Sequence, residues 1–209
     1  MTKFLVVFDV DSTLINDEAI ELLAQRAGKR EEVAEVTERA MRGELDFEQS
    51  LRQRVLTLKD LPASVLDEVA LELSPTKGAK DLIDAIHDRG GLAAAVSGGF
   101  IQLLAPVKEK LGFDFERANT LEVVDGKLTG QVVGKVIDRA AKAEALLQWS
   151  KQFGLSPNQT IAVGDGANDL GMMEVAGLSV AFCAKPVVQQ KAKIALNERD
   201  LSQLIQLLP

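Results

Sequence analysis

The sequence predicts an α/β fold: a mainly parallel sheet with helices between its strands, and a small helical subdomain inserted after the first strand. Three observations carry this. Short, continuous apolar runs of strand length recur along the chain, as in strands buried on both faces. Helical stripes separate several of these runs, the alternation expected of a parallel sheet. One long stretch, from about Asn16 to Leu73, breaks the alternation with four helical patterns in a row and no convincing strand.

The elements follow in order. Phe4 to Phe8 is the first apolar run. The insert then holds Ala19, Leu22, Leu23 and Ala27 at helical spacing, and a weaker stripe of Val33, Val36 and Ala40. Phe47, Leu51, Val55 and Leu58 make a third stripe, and Val65, Leu66, Val69 and Leu73 a fourth, after Pro62. The chain returns near Ser74-Pro75, so the expected division is a core of residues 1–14 and 76–209 and a cap of residues 15–75. Ala79, Leu82, Ile83 and Ile86 form a helix that ends at Gly90-Gly91. Leu92 to Val96 is the next strand, and Ile101, Leu104, Val107 and Leu111 the next helix, closed by Gly112. Asp125-Gly126 between apolar flanks signals a hairpin over Leu121 to Val133. Ile161 to Val163 is a further strand, and Leu178 to Phe182 another, weakened by Ser179.

Composition narrows the function classes. The 209 residues carry 24 Lys and Arg against 31 Asp and Glu, a formal charge of −7. That argues against nucleic acid, which needs a basic surface. An anionic substrate would have to be drawn by a local positive pocket. The one cysteine, Cys183, excludes an internal disulfide. No apolar stretch reaches the length of a membrane span, and the N-terminus has no signal-peptide cleavage region. The expectation is a soluble cytoplasmic protein with no membrane partner; a homodimer is left open.

Three polar clusters directly follow three of the core strands: Asp9-Val10-Asp11-Ser12-Thr13, Ser97-Gly98-Gly99, and Gly164-Asp165-Gly166-Ala167-Asn168-Asp169. Sites in a parallel sheet form at the carboxyl ends of strands, so clusters far apart in sequence are expected to converge. Asp9, Asp11 and Asp165 together repel one another when ionised. A hard divalent cation removes that cost, and Mg²⁺ prefers oxygen ligands. The plainer alternative is that these are loop acids capping helices. Ser97-Gly98-Gly99 reads as an anion-binding loop before a helix or as a tight turn. Gly164-x-Gly166 fails as a dinucleotide fingerprint: Asp169 stands at the third glycine position, and Asp165 would face the pyrophosphate.

FDVDSTLI at residues 8–15, SGGF at 97–100 and GDGANDL at 164–170 resemble, in order, the motifs of the haloacid dehalogenase superfamily of phosphatases. LDFEQSLRQRV at 45–55 and AFCAKP at 181–186 resemble the branch of that superfamily that hydrolyses phosphoserine. The resemblance covers nearly the whole chain. Some members carry a regulatory domain ahead of the catalytic one, and none is expected here.

The resemblance implies a Rossmann-like core under a helical cap, and a Mg²⁺-dependent phosphomonoesterase with a place in serine biosynthesis. Asp9 would attack phosphorus and become an aspartyl phosphate. Asp11 would protonate the leaving oxygen and then activate water. Mg²⁺ would be held by Asp9, Asp165 and the main-chain carbonyl of Asp11, with Asp169 orienting that set. Ser97, the N–H of Gly98, Lys142 and Asn168 would surround the phosphoryl oxygens. Thr13 would fix the first loop. Read from the sequence alone, Lys142 is a solvated lysine at the start of a helix.

Arg54 falls in the apolar row Phe47, Leu51, Arg54, Leu58 of a cap helix, and Glu18 one turn before Leu22. By resemblance, Arg54 would take the carboxylate of an amino-acid substrate and Glu18 its ammonium. The alternatives are a snorkelling arginine and an acid favoured at a helix start. Phe47 and Met41 are apolar walls of the pocket or cap core, Met41 the latter by preference. His87, Cys183 and Trp149 are given no role. Two other functions stay open: a related phosphatase or phosphotransferase for another small phosphomonoester, and a receiver protein that accepts phosphate on Asp9.

Overall fold

The computed structural model describes residues 2–41 and 44–209, with the side chain of Met41 outside the described residues together with its expected place in the cap. In chain order the elements are β1 (Leu5–Phe8), α1 (Ala19–Arg26), α2 (Arg30–Met41), α3 (Phe47–Leu56), α4 (Ser64–Glu72), α5 (Ala79–Asp88), β2 (Leu92–Phe100) and α6 (Ile101–Leu111). They continue with β3 (Phe115–Val124), β4 (Lys127–Val133), α7 (Arg139–Gln152), β5 (Thr160–Gly164), α8 (Leu170–Val175), β6 (Leu178–Phe182), α9 (Pro186–Gln189) and β7 (Ile194–Leu196).

Among the described residues the strands form one seven-stranded sheet in the order β4-β3-β2-β1-β5-β6-β7. All neighbours pair in parallel except β3 and β4, the hairpin that turns at Asp125-Gly126. β1 is buried on both faces. Phe4, Val6 and Phe8 join one apolar cluster with Leu82, Ile83, Leu104 and Val107. Leu5 and Val7 join another with Ala145, Leu146, Trp149 and Met172. The two-residue period of a strand thus places helices on both sides of the sheet.

The four helical patterns of the insert form as α1–α4. Asp46 starts α3 with a capping box: its carboxylate accepts the Gln49 N–H at 2.8 Å, while the Gln49 side chain accepts the Asp46 N–H at 3.2 Å. The outgoing and returning chains lie side by side, Ile15 bridging Pro75, with the Asn16 N–H on the Ser74 carbonyl at 2.9 Å. Val55, Leu58, Leu66 and Val69 of the insert share the apolar cluster that includes the sheet residue Leu128.

Three details differ from the expected elements. Ser97-Gly98-Gly99 lies inside β2, which runs on to Phe100; pairing with β3 resumes there, Phe100 opposite Asn119. β3 begins at Phe115, ahead of the hairpin, because its first half is the parallel neighbour of β2. Glu18 precedes α1 in extended conformation, with φ −104° and ψ 103°.

Candidate active site

β1 lies between β2 and β5, where the strand order reverses direction. A crevice opens at the carboxyl ends of strands at such a point. A cavity of about 760 Å³ is found there, lined among others by Asp9, Asp11, Gly98, Asp165 and Asn168 from the core and by Glu18, Phe47 and Arg54 from the insert. The three strand-end clusters do converge.

Lys142 sits below this floor. Asp138 caps α7 by accepting the Ala141 N–H at 2.8 Å, which sets Lys142 on the helix's first turn. Its side chain is fully buried and bonds Asp9 Oδ1 at 2.5 Å and Asp169 Oδ1 at 2.7 Å. The solvated lysine read from sequence alone is therefore replaced by a buried ion triad. Burial opposes its charge, but Asp169 and Asp9 outweigh that and hold the ammonium above its ordinary pKa. Lys142 does not line the cavity; it reaches the site through the Asp9 carboxylate.

One lysine does not neutralise the cluster. Burial, then repulsion from Asp169, pushes Asp9 well above the usual carboxylate range despite Lys142. Burial, then Asp169 and Glu18, raises Asp165 to about 6. Asp9, Asp165 and Asp169 each bring an oxygen within 4.8 Å of the others. Hard oxygen donors and an unmet demand for positive charge fit a divalent cation. Asp169 is the least available donor: Oδ1 holds Lys142, and Oδ2 accepts the N–H groups of Asp165 at 3.1 Å and Gly166 at 3.0 Å. Gly164 leaves room for this arrangement, since a Cβ there would run into the Asp169 carboxylate.

Asp11 behaves differently from Asp9. Its Oδ1 accepts the Ala19 N–H at 3.1 Å, so it does cap a helix, across the loop rather than from its own element. Burial, with Glu18 beside it, raises its carboxyl to about 7. Gly99 packs close to it: a Cβ there would lie 2.7 Å from Asp11 Oδ2. The loop carrying both acids passes through Ser12 at φ +56°, a conformation L residues adopt rarely.

Ser97 is buried, and its Oγ accepts the Gly99 N–H at 2.7 Å. A hydroxyl that accepts in this way keeps its proton to donate. Phe47 lies over Gly98, where a Cβ would meet its ring at 2.9 Å. Thr13 is fully buried, and its hydroxyl has no hydrogen-bond partner among the described residues. In the cap, Arg54 is half-buried and donates through Nε to the Ser50 carbonyl at 3.3 Å. Burial lowers its pKa, opposed by Glu18 and Asp11. Glu18 Oε1 accepts the Ser12 hydroxyl at 2.6 Å.

The cavity also takes in Arg139 and Lys185. Sequence reasoning passed over both, since a cation at a helix start looks like any surface charge. His87 and Trp149 lie elsewhere: His87 Nε2 meets Asp114 at 3.0 Å, and Trp149 packs in the core.

The family model of haloacid dehalogenase-like hydrolases matches residues 6–174. This chain belongs to that family. The hydrolase is 49% identical over 206 residues to a phosphoserine phosphatase of Streptococcus thermophilus, covering 99% of this chain and 96% of the relative. It is 54% identical over 204 residues to a phosphoserine phosphatase of Streptomyces coelicolor, covering 98% of this chain but 50% of that longer protein. A solved phospho-aspartyl intermediate analogue of phosphoserine phosphatase superposes with a TM-score of 0.94 at 47% identity, each chain covered completely. No helix among the described residues is long and apolar enough to cross a membrane.

Proposed function

We propose that this hydrolase is a cytoplasmic, Mg²⁺-dependent phosphatase that converts O-phospho-L-serine to L-serine and phosphate. One observation carries the reading: a single cavity is lined by the carboxylates Asp9, Asp11 and Asp165 from the core and by Glu18 and Arg54 from the insert. The core set, with the cation it would hold, suits the phosphoryl group. The insert pair offers an anion for an ammonium and a cation for a carboxylate. The relatives' names and the phospho-aspartyl structure support the same chemistry.

Asp9 attacks phosphorus, and the bond from phosphorus to the serine oxygen breaks. Asp11, its carboxyl raised to about 7, gives a proton to that oxygen. Water then attacks the aspartyl phosphate, Asp11 takes a proton from it, and phosphate departs with Asp9 restored. Asp9, Asp165 and the main-chain carbonyl of Asp11 would hold Mg²⁺, with Asp169 orienting them; the ion supplies positive charge for the transferring group. The hydroxyl of Ser97, the N–H of Gly98 and the side chain of Asn168 receive the phosphoryl oxygens, and Lys142 holds Asp9 in place. Residues 15–75 act as the cap that excludes water.

Asp9→Asn tests this. It should abolish turnover of every phosphomonoester while leaving the circular dichroism spectrum unchanged, and substantial residual activity would exclude Asp9 as nucleophile. Comparable rates on phosphoserine, phosphothreonine and sugar phosphates would remove the amino-acid specificity and keep the chemistry. A phosphoprotein stable for hours in Mg²⁺ would favour a receiver instead.

A further inference from the structure

Asn119 carries no charge, does not line the cavity and sits in the middle of β3, yet it is buried and bonded on both sides. We infer that Asn119 is a positioning residue for phosphoryl transfer, its side-chain amide locking the Ser97–Gly99 segment to the start of the helix that carries Lys142. The inference rests on the phosphatase reading above.

β2 and β3 pair regularly from Ala94 opposite Phe115 to Val96 opposite Arg117, and then the register slips: β2 advances four residues to Phe100 while β3 advances two to Asn119. A bulge of this kind breaks the ladder and re-aims the backbone. Within it, Asn119 Nδ2 donates to the Gly98 carbonyl at 2.8 Å. The next N–H, that of Gly99, goes to Ser97 Oγ at 2.7 Å. The peptide between Gly98 and Gly99 is therefore held at its oxygen by Asn119 and at its nitrogen by Ser97. The bond from Gly99 fixes the Ser97 hydroxyl oxygen as an acceptor, leaving its proton to point elsewhere, and the bond from Asn119 anchors Gly98, whose own N–H lies one peptide earlier.

The other end of the same amide faces the second phosphate-handling element. Asn119 Oδ1 accepts the Ile137 N–H at 2.8 Å. Ile137 directly precedes Asp138, the cap that starts α7 and so fixes Lys142 against Asp9. One planar side chain thus ties the donors for the phosphoryl oxygens to the support of the nucleophile. Displacements of about 1 Å in such a constellation cost on the order of a hundredfold in rate.

The test is steady-state kinetics of Asn119→Ala and Asn119→Asp with phosphoserine and with an aryl phosphate, each assayed well below its own melting temperature. When ionised, the aspartate variant keeps its size and the acceptor for Ile137 but loses the donor to Gly98, so it is assayed from pH 8 upward. Both variants should lose kcat by about 10- to 100-fold, by the same factor on both substrates. A lowered melting temperature with kcat within about twofold of the parent would make Asn119 merely structural and overturn the inference. Calorimetric titration with inorganic phosphate in Mg²⁺ is read alongside, and affinity should weaken in both variants. Should the parent hydrolyse no ester, the phosphatase reading falls while this titration still decides: unchanged phosphate affinity in the variants overturns the positioning role.

Discussion

Lys142 shows how far a residue's setting outweighs its type. A lysine with no exposed surface between Asp9 and Asp169 is present because those two acids cannot share a dry space without it. Lys142→Met removes the cation and leaves the acids. Breaking a buried pair in this way typically costs about 3–5 kcal/mol, so the melting temperature should fall by several degrees and phosphatase turnover by at least about a hundredfold. A variant with the parent's melting curve and rate would show that the triad has no such weight. Arg54 is the matching residue on the cap side. It breaks an apolar row, is half-buried, and shares its cavity with Glu18. Losing one partner of a desolvated charge pair costs about 2 kcal/mol or more. Arg54→Ala should therefore lower kcat/KM for phosphoserine by at least about thirtyfold, and leave a substrate without a carboxylate almost unaffected. Equal losses on both would deny Arg54 any part in reading the amino acid.

At the level of the elements, one carboxylate helps tie the C-terminal segment to the turn before α5, beside the Leu201 N–H on the Lys77 carbonyl at 2.8 Å and the Arg89 guanidinium on the Leu208 carbonyl at 2.9 Å. Asp200 pairs with Lys77 at 2.8 Å and accepts from the Ser202 N–H at 3.0 Å and hydroxyl at 2.6 Å. Gly78, at φ +75°, is glycine because a Cβ there would run into Asp200 and Ser202. The bond from Lys77, then those from Ser202, lower the Asp200 pKa to about 2. A carboxylate depressed in this way stabilises the fold above its unfolded value near 4, and the gain is lost as pH falls through the folded value. Asp200→Asn should melt earlier than the parent at pH 7, with the gap narrowing as pH falls from about 4 toward 2. Thermal melts across that range check this, and a gap independent of pH would contradict it.

Legibility in the sequence follows the same physics. β1 and β5 were readable because strands buried on both faces are apolar throughout, and α1–α4 because amphipathic spacing repeats over several turns. The Ser97–Gly99 part of β2 was not, since two glycines look like a turn and only pairing beyond them keeps the chain extended. β7 is three residues long and gave no periodic signal. Asp9, Asp11 and Asp165 stood out by position after strands. Asn119 did not, because a lone asparagine in a strand says nothing about the two backbone groups it meets.

The whole molecule reconciles an acidic chain with the anionic substrate proposed for it. A formal charge of −7 repels a phosphate monoester at long range. The cavity collects Arg54, Arg139 and Lys185 around its acids, with Lys142 beneath, and its cluster of carboxylates has the donors to hold a divalent cation. The insert, returning beside its own departure point at the Ile15–Pro75 bridge, brings Phe47 against Gly98 and so covers the strand ends. On the function proposed above, chemistry and recognition are thereby divided: the sheet would carry the phosphoryl machinery, and the insert the groups that would tell one ester from another.

The decisive measurement is release of inorganic phosphate from L-phosphoserine, in Mg²⁺ and in chelator, beside a generic aryl phosphate. Fast release that needs Mg²⁺ and strongly prefers phosphoserine is the expected result. Mg²⁺-dependent release from the aryl phosphate alone would contradict the assignment of Glu18 and Arg54 to an amino acid, and release unchanged by chelator would contradict the metal site.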